Sequence, residues 1–440
     1  MINIKNILNS KQRLILISIF VLSLSLRILL TIGVYEENGT SDWRDAKYYV
    51  SIGESFAEGN FYPTNSKTYS YMVVGPVVPL TVAVSKILTN DPIVPILILN
   101  CILGALLVFV LFELGKELVS ITAGYVMSIW SVFNPGLIRI NYQILKEPII
   151  ILVIPLIIML LVKIYKDKNA LLNTIYSSLL FSLLIHTDER FVVFGPLFLI
   201  FIAVITIKKL KLFRALLWVF VLIVTMIPWT VRNYVQHGEF VILTPRMTTL
   251  TSKFWGTDLV KLDYSSEEDM AKLVNLHLKS AQEAELKYGK APRAFGKRER
   301  YFRVFVNYWQ PAYLRLTYVH SGYEPVKWSI AHNATSIIFF GVYLPFYLLG
   351  IIYALYKKNY LISFIGIIPI YYSVFHAMML IWPLERYRLP FNFIVVLVAI
   401  WLIKELLSRF MPKWSNPDTQ LIKNQTTNKS DFKTVHNISS

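Results

Sequence analysis

The chain has 440 residues, of which 55% are hydrophobic and 16% charged, against roughly 25% charged in soluble domains. That composition excludes a soluble protein, and it leaves room for ten membrane helices of about 20 residues each beside one sizeable extramembrane region. The formal net charge of +17 does not mark a nucleic-acid binder, because the Lys and Arg residues stand in short clusters between apolar segments, where they set membrane orientation.

In chain order, apolar residues run from Leu14 to about Val34 with no A-x-A-like cleavage site after them, which predicts an uncleaved first membrane helix. Further spans are expected near residues 93–114, 121–138, 148–165, 171–186, 191–207, 215–230, 334–355, 361–381 and 390–407, making ten in all. The single cysteine, Cys101, lies inside one of them, so neither a disulfide framework nor a multi-cysteine metal site is open to the chain. A further apolar stretch at 71–89 carries Pro76, Pro79 and Lys86. If it does not cross, the cations Lys116, Lys163, Lys166, Lys168, Lys208, Lys209, Lys211, Arg214, Lys357, Lys358, Lys404, Arg409 and Lys413 all fall inside. Only Arg139, Lys146, Arg190, Arg386 and Arg388 then fall in short outside loops. The stretch is therefore expected as a re-entrant or interfacial helix, broken by its prolines and packed against protein.

This topology puts both termini in the cytoplasm and divides the chain into four parts. Residues 1–231 form an N-terminal transmembrane module whose first outside loop is 35–92, residues 232–333 an outside domain between helices 7 and 8, residues 334–410 the last transmembrane helices, and residues 411–440 a polar, disordered cytoplasmic tail. No internal repeat and no pair of inverted halves is visible, which weighs against a lipid or sugar transporter.

The first outside loop reads SDWRDAKYYVSIGESFAEGNFY at 41–62. Ala46, Tyr49, Val50, Gly53, Phe56 and Ala57 recur at helical spacing and Gly59 stands where a helix would end, so a short amphipathic surface helix is predicted. Asp42 and Asp45 open it, and two acids in one turn exceed what a cap needs. An aromatic and basic stretch, KRERYFRVFVNYWQPAYLRLTY at 297–318, reads as a membrane-surface element.

Together, "DAKYY" with its "A-x-G-x-x-Y" ending, "LKEP" at 145–148, "PWTVRNY" at 228–234 and "ERYRLP" at 385–390 resemble, in order and on one side, the GT-C superfamily of membrane glycosyltransferases. The likeness runs over about residues 14–407 and is nearest to the branch of protein O-mannosyltransferases and lipid A aminoarabinose transferases. It departs at "HTDERF", where relatives more often show an Arg followed by Pro. The resemblance implies an all-α polytopic fold and transfer of a sugar from a polyprenyl-phosphate donor to a glycan, lipid or protein acceptor on the outer face of the cell membrane.

It also places Asp45 as the general base of an inverting transfer, with Asp42 as its partner and Glu147 orienting Lys146 or the acceptor. Lys146, Arg190, Arg232, Arg386 and Arg388 are the expected donor-phosphate cations, since a guanidinium fork can bind two phosphate oxygens at once. Tyr48, Tyr49 and Tyr387, beside these motifs, are expected to contact substrate. No cofactor is expected and a divalent cation is not indicated: His186, Asp188 and Glu189 are three potential ligands in one tight turn with no second His nearby in sequence. The rival readings are an O-antigen ligase or polymerase using a diphosphate-linked glycan, and a transporter.

Overall fold

The computed structural model describes residues 10–38, 44–60, 75–205, 211–237, 242–243, 302, 304–306, 308–311, 330–379 and 385–410. Among these residues every regular element is helical. Most of the expected outside domain, the tail after residue 410, and Asp42 lie outside the described residues.

Helix α1 (Ser10–Asn38) is followed by α2 (Arg44–Ala57), α3 (Val77–Thr89) and the long apolar α4 (Val94–Leu118). Helices α5 (Ile121–Phe133) and α6 (Pro135–Arg139) follow, the second running on into a 3-10 turn to Tyr142 at a bend of 53°. Pro135 explains the bend, because it has no N–H to continue the ladder, and Asn134 starts the new helix by accepting a hydrogen bond from the Leu137 amide at 3.2 Å. Helices α7 (Glu147–Tyr165) and α8 (Ala170–Thr187) form an antiparallel pair. A 3-10 turn (Glu189–Val193), α9 (Phe194–Ile200) and a π turn (Phe201–Ile205) come next, then α10 (Lys211–His237). The C-terminal part holds α11 (Ile330–Phe339), α12 (Leu344–Tyr356), α13 (Tyr360–Met379), two 3-10 turns (Glu385–Tyr387, Leu389–Phe391) and α14 (Asn392–Phe410).

By length and composition, eight helical runs among the described residues can cross a membrane, and the bent α5–α6 pair makes a ninth. These correspond to nine of the ten expected spans. In the remaining stretch, expected at 191–207, the described residues up to Ile205 form three short helical pieces in series, none of which is long enough to cross by itself. Helix α7, buried along most of its length, and the first half of α14, from Asn392 to Leu402, occupy the centre, whereas α1 and α10 turn large side chains such as Leu14, Leu29, Leu212 and Phe220 outward. That contrast is what a bundle in lipid requires, since no water penalises an apolar outer surface there.

The two ends of the bundle differ in charge. At one end Glu117 pairs with Lys166 at 2.7 Å and Lys168 at 3.0 Å, Arg214 pairs with Asp167 at 2.9 Å, and Lys404 donates to the Val119 carbonyl at 2.5 Å. Helix α3 has both its ends at the other end. Gly75, just before it, abuts the carbonyl of His186 at the end of α8, while α4, which directly follows α3, carries Asn100 against the Gln143 carbonyl at 2.9 Å within its second turn. With 13 residues, α3 is about 20 Å long and falls short of a bilayer core of about 30 Å.

Helix α2 lies on α3 at very close range. A Cβ on Gly53 would meet the Val82 side chain and come within 2.7 Å of the Pro79 carbonyl oxygen, so only glycine permits this approach. Gly53→Val is therefore expected to destabilise the protein by about 1–3 kcal/mol, as overpacked cores do. Thermal unfolding in detergent reads the change, and an unchanged midpoint would show that the α2–α3 contact bears no stability.

Candidate active site

Three chain segments, far apart in sequence, converge at the end of the bundle opposite the Lys166 and Lys404 cluster. The first is the loop before α7. Pro148 sits at the start of that helix, where its missing N–H costs nothing, so the helix begins at Glu147 and leaves Lys146 just outside it. The second is the turn after α8, where Asp188 is extended (φ −150, ψ 107) and its side chain caps the 3-10 turn by accepting from the Arg190 amide at 3.2 Å. The third is the pair of 3-10 turns before α14, carrying Arg386, Tyr387 and Arg388.

Asp188 is the meeting point. Its side chain is fully buried, and it accepts from Arg190 Nε at 2.8 and 3.0 Å, from Arg190 Nη2, and from Lys146 Nζ at 2.9 Å. A carboxylate offers about four lone-pair sites, and these contacts take them up. Burial weighs against the charge of each partner, but the partners outweigh it. Arg190 and Lys146 hold the Asp188 carboxyl below the usual carboxylate range. Asp188 in turn raises Lys146, against both burial and the charge of Arg190, and raises Arg190 against burial.

A second ion pair lies beside the first. Glu147, 2% exposed in the first turn of α7, sits with Oε1 3.6 Å from Arg386 Nε. The helix N-terminus favours its negative charge. Among the described residues its other oxygen, Oε2, has no hydrogen-bond partner. Tyr387 links the two pairs, with the Arg190 guanidinium 4.6 Å and the Arg386 guanidinium 5.2 Å from its ring centre. The same ring lies 5.0 Å from the imidazole of His376, which Tyr308 and Tyr372 flank at 5.6 and 5.9 Å. Cation–π contacts of this kind are worth about 0.5–2 kcal/mol each, so the aromatic box positions the arginines as well as burying them.

The other sequence-derived residues fall around this core. Tyr49 of α2 is buried and within electrostatic reach of Lys146. Asp45 lies one helical turn before Tyr49 on α2, a spacing that puts both positions on one face; the side chains of Asp45 and Tyr48 lie outside the described residues. Arg388 is only two residues from Arg386, yet its Nη1 donates to the carbonyls of Tyr308 at 3.1 Å and Gln310 at 2.7 Å, and its guanidinium lies 3.7 Å from the Phe340 ring centre. Arg232 stacks on Trp229 at 4.8 Å and donates to Asn233 Oδ1 at 2.9 Å, and Trp229 packs on the α2–α3 cluster of Ile52, Phe56 and Ala83. Among the described residues no three His, Cys, Asp or Glu side chains are grouped to hold a metal ion.

The bundle is similar over 91% of this chain, at TM-score 0.55 and 14% identity, to the archaeal oligosaccharyltransferase AglB of Archaeoglobus fulgidus in complex with an inhibitory peptide and a dolichol-phosphate, covering 51% of that structure. The apo form of the Archaeoglobus fulgidus oligosaccharyltransferase matches over 92% of this chain and 52% of its own, at TM-score 0.51 and 11% identity. The form tethered to an acceptor peptide matches over 89% and 50%, at TM-score 0.50 and 11% identity. This is the GT-C fold. The chain spans about half the length of these GT-C structures. No protein-family model and no curated protein matches it.

Sequence reasoning assigned Lys146, Glu147, Arg190, Arg386 and Tyr387, and the GT-C bundle brings these five together. It missed Asp188 as the group that joins two of the cations, and it missed His376 and Tyr372. The one available signal was an acid two positions before an arginine in a turn, a spacing that permits a local pair but does not announce a third partner from another helix.

The charged state of the cluster has a definite pH window. Asp188 has a lowered pKa, so its contribution is present above the unfolded carboxyl value and fades only as pH falls below it; Lys146 is raised, so its contribution is present below the unfolded amine value and fades only above it. The stability lost on Lys146→Met is therefore expected to be constant from about pH 5 to about pH 9, given reference values near 4 and 10. Thermal midpoints of both proteins across that range test it, and a difference that shrinks between pH 8 and pH 6 would remove Asp188 as the partner.

Proposed function

We propose that this chain is an integral membrane glycosyltransferase that moves a sugar from a polyprenyl-phosphate-linked donor to an acceptor on the outer face of the membrane. The observation that carries the reading is the convergence of Lys146, Arg190 and Arg386 at one end of a GT-C bundle, beside the α2 helix that bears Asp45. A leaving phosphate needs cations fixed before the reaction, because pre-set charge stabilises the developing anion without reorganisation. The archaeal neighbour in complex with a dolichol-phosphate supports a lipid-phosphate ligand for this fold.

In the proposed reaction, Asp45 takes the proton of the acceptor hydroxyl as that oxygen attacks the anomeric carbon. The bond from that carbon to the phosphate oxygen breaks, and the polyprenyl phosphate leaves with its charge held by Lys146, Arg190 and Arg386. Glu147, with one oxygen toward Arg386 and the other unengaged among the described residues, orients the acceptor or Arg386. Tyr387 and Tyr49 shape the wall of the site, and Tyr48, the position before Tyr49 in sequence, is proposed to contact substrate. Arg388 and Arg232 take supporting parts: the first clamps the 308–310 segment over the site and the second braces the α2–α3 platform. No step is assigned to a metal or cofactor.

The base and the phosphate cations separate in kinetics. Asp45→Asn keeps size and most hydrogen bonding but removes the proton acceptor, so turnover with a polyprenyl-phosphate sugar is expected to fall by about 100-fold or more with donor binding unchanged. Arg386→Ala is expected to weaken donor binding at near-normal expression. Full activity in both variants would remove this site from the chemistry, and preference for a diphosphate-linked glycan would favour the ligase-like alternative.

The proposed side of the membrane is tested separately. With both termini cytoplasmic, a cysteine placed at position 116 is expected to resist an impermeant thiol reagent added to intact cells. Labelling from outside would put Lys146, Arg190 and Arg386 on the cytoplasmic face.

A further inference from the structure

Two cations side by side in a buried site repel each other. Lys146 is 16% and Arg190 6% exposed at the side chain, and the charge of Arg190 acts directly against that of Lys146. Nothing in the loop before α7 or in the turn after α8 would by itself bring them together, because like charges in a medium of low dielectric attract only through a group of opposite sign between them. Asp188 is that group. Its Oδ2 receives both Lys146 Nζ and Arg190 Nη2, while its Oδ1 receives the Arg190 Nε and the Arg190 amide. The remaining face of the Arg190 guanidinium is fixed by the Tyr387 ring.

We propose that Asp188 is a positioning residue, whose buried carboxylate joins Lys146 to Arg190 so that two like charges stand in one site and are aimed together at the donor's phosphate. The proposal rests on the glycosyltransferase reading for the identity of that ligand. Asp188 is not the base of the reaction: its lone pairs are occupied by three donor groups of Arg190 and Lys146 and it has no exposed surface. It also has no open oxygen to offer a metal ion. Its work is geometric, and it makes the loop before α7 and the turn after α8 into one rigid wall.

The sign of the effect separates this from simple electrostatics. If Asp188 merely lowered the positive potential of the site, then neutralising it would strengthen phosphate binding. If it holds the two cations in register, neutralising it weakens binding although the site becomes more positive. Asp188→Asn is isosteric and is expected to weaken binding of polyprenyl phosphate by about 30-fold or more, the usual consequence of leaving buried charges without their partner. Asp188→Glu keeps the charge and is expected to recover part of the loss.

The test is a titration of purified full-length protein in detergent with polyprenyl phosphate, run on wild type, Asp188→Asn, Lys146→Gln and the double variant. With Lys146 already neutral there is no repulsion left for Asp188 to relieve, so adding Asp188→Asn to Lys146→Gln is expected to cost less than about 3-fold, a strongly non-additive cycle. Equal or tighter binding by Asp188→Asn, or the same cost in both backgrounds, overturns the proposal. Should Asp188→Asn alone fail to fold, folding of the double variant supports it, and failure of both makes Asp188 a fold-holding residue and overturns it. A wild type that binds no polyprenyl phosphate instead removes the glycosyltransferase reading, and the proposal with it, whatever the variants do.

Discussion

A charge taken out of water must be paired, and the arrangement at this end of the bundle follows from that requirement at Asp188. Breaking one partner from a buried pair costs about 3–5 kcal/mol, so a fully buried carboxylate that serves Lys146 and Arg190 ties the start of α7 to the end of α8 as firmly as a large apolar contact would. Tyr387 then adds the third segment through its ring, since both Arg190 and Arg386 lie over it, and Glu147 takes the far side of Arg386. Removing the carboxylate would leave two cations with reason to separate. The placing of the two cations side by side is in this sense a product of the anion.

The same end is supported from within the bundle by uncharged polar pairs. Asn100 of α4 donates to the Gln143 carbonyl at 2.9 Å, and Asn141 donates to the Asn100 carbonyl at 2.8 Å. These reciprocal bonds pin the limb that returns from the Pro135 bend to Lys146. Arg27, fully buried in α1, donates to Ser23 and to the Ser131 carbonyl at 2.9 Å, near the last turn of α5 before the bend. Polar side chains in a membrane bundle are confined to its interior, where backbone carbonyls of a broken helix need partners. Arg27 takes the Ser131 carbonyl just before the break, Asn100 takes the Gln143 carbonyl beyond it, and Asn141 reaches back to the Asn100 carbonyl of α4, so the limb after the break is fixed to α4.

Two further devices close the site from its sides. The α2–α3 platform is held by the Gly53 approach and by Trp229, which links it to α10. Across from it, Arg388 grips the carbonyls of Tyr308 and Gln310 while Trp309 stacks on Tyr347 at 5.7 Å and donates to Ser373 at 3.0 Å. An arginine that sequence places among the phosphate cations thus fastens a segment whose backbone would otherwise leave carbonyls unpaired at a buried surface. Arg386, two positions earlier and less buried, faces the other way.

Much of the architecture was legible in the residues alone. Runs of about 20 apolar residues mark nine helical runs among the described residues that can cross a membrane, whereas the bend at Pro135 inside the expected 121–138 span and the broken 191–205 stretch were not read from them. The motif resemblance, with the charge bias, singled out Lys146, Glu147, Arg190, Arg386 and Tyr387 from the residues alone, and the fold brings these five together at one end of the bundle. Tertiary structure alone decided what each of them does there. Whether an arginine meets a carboxylate or a backbone carbonyl depends on side-chain and backbone geometry over two residues, as Arg386 beside Glu147 and Arg388 on the Tyr308 and Gln310 carbonyls show, and no local pattern encodes it. Asp188 reads in sequence as a turn residue beside Arg190. Its second partner lies on another helix, and a contact between helices is settled by packing, so only the folded chain makes it the group that joins Lys146 to Arg190.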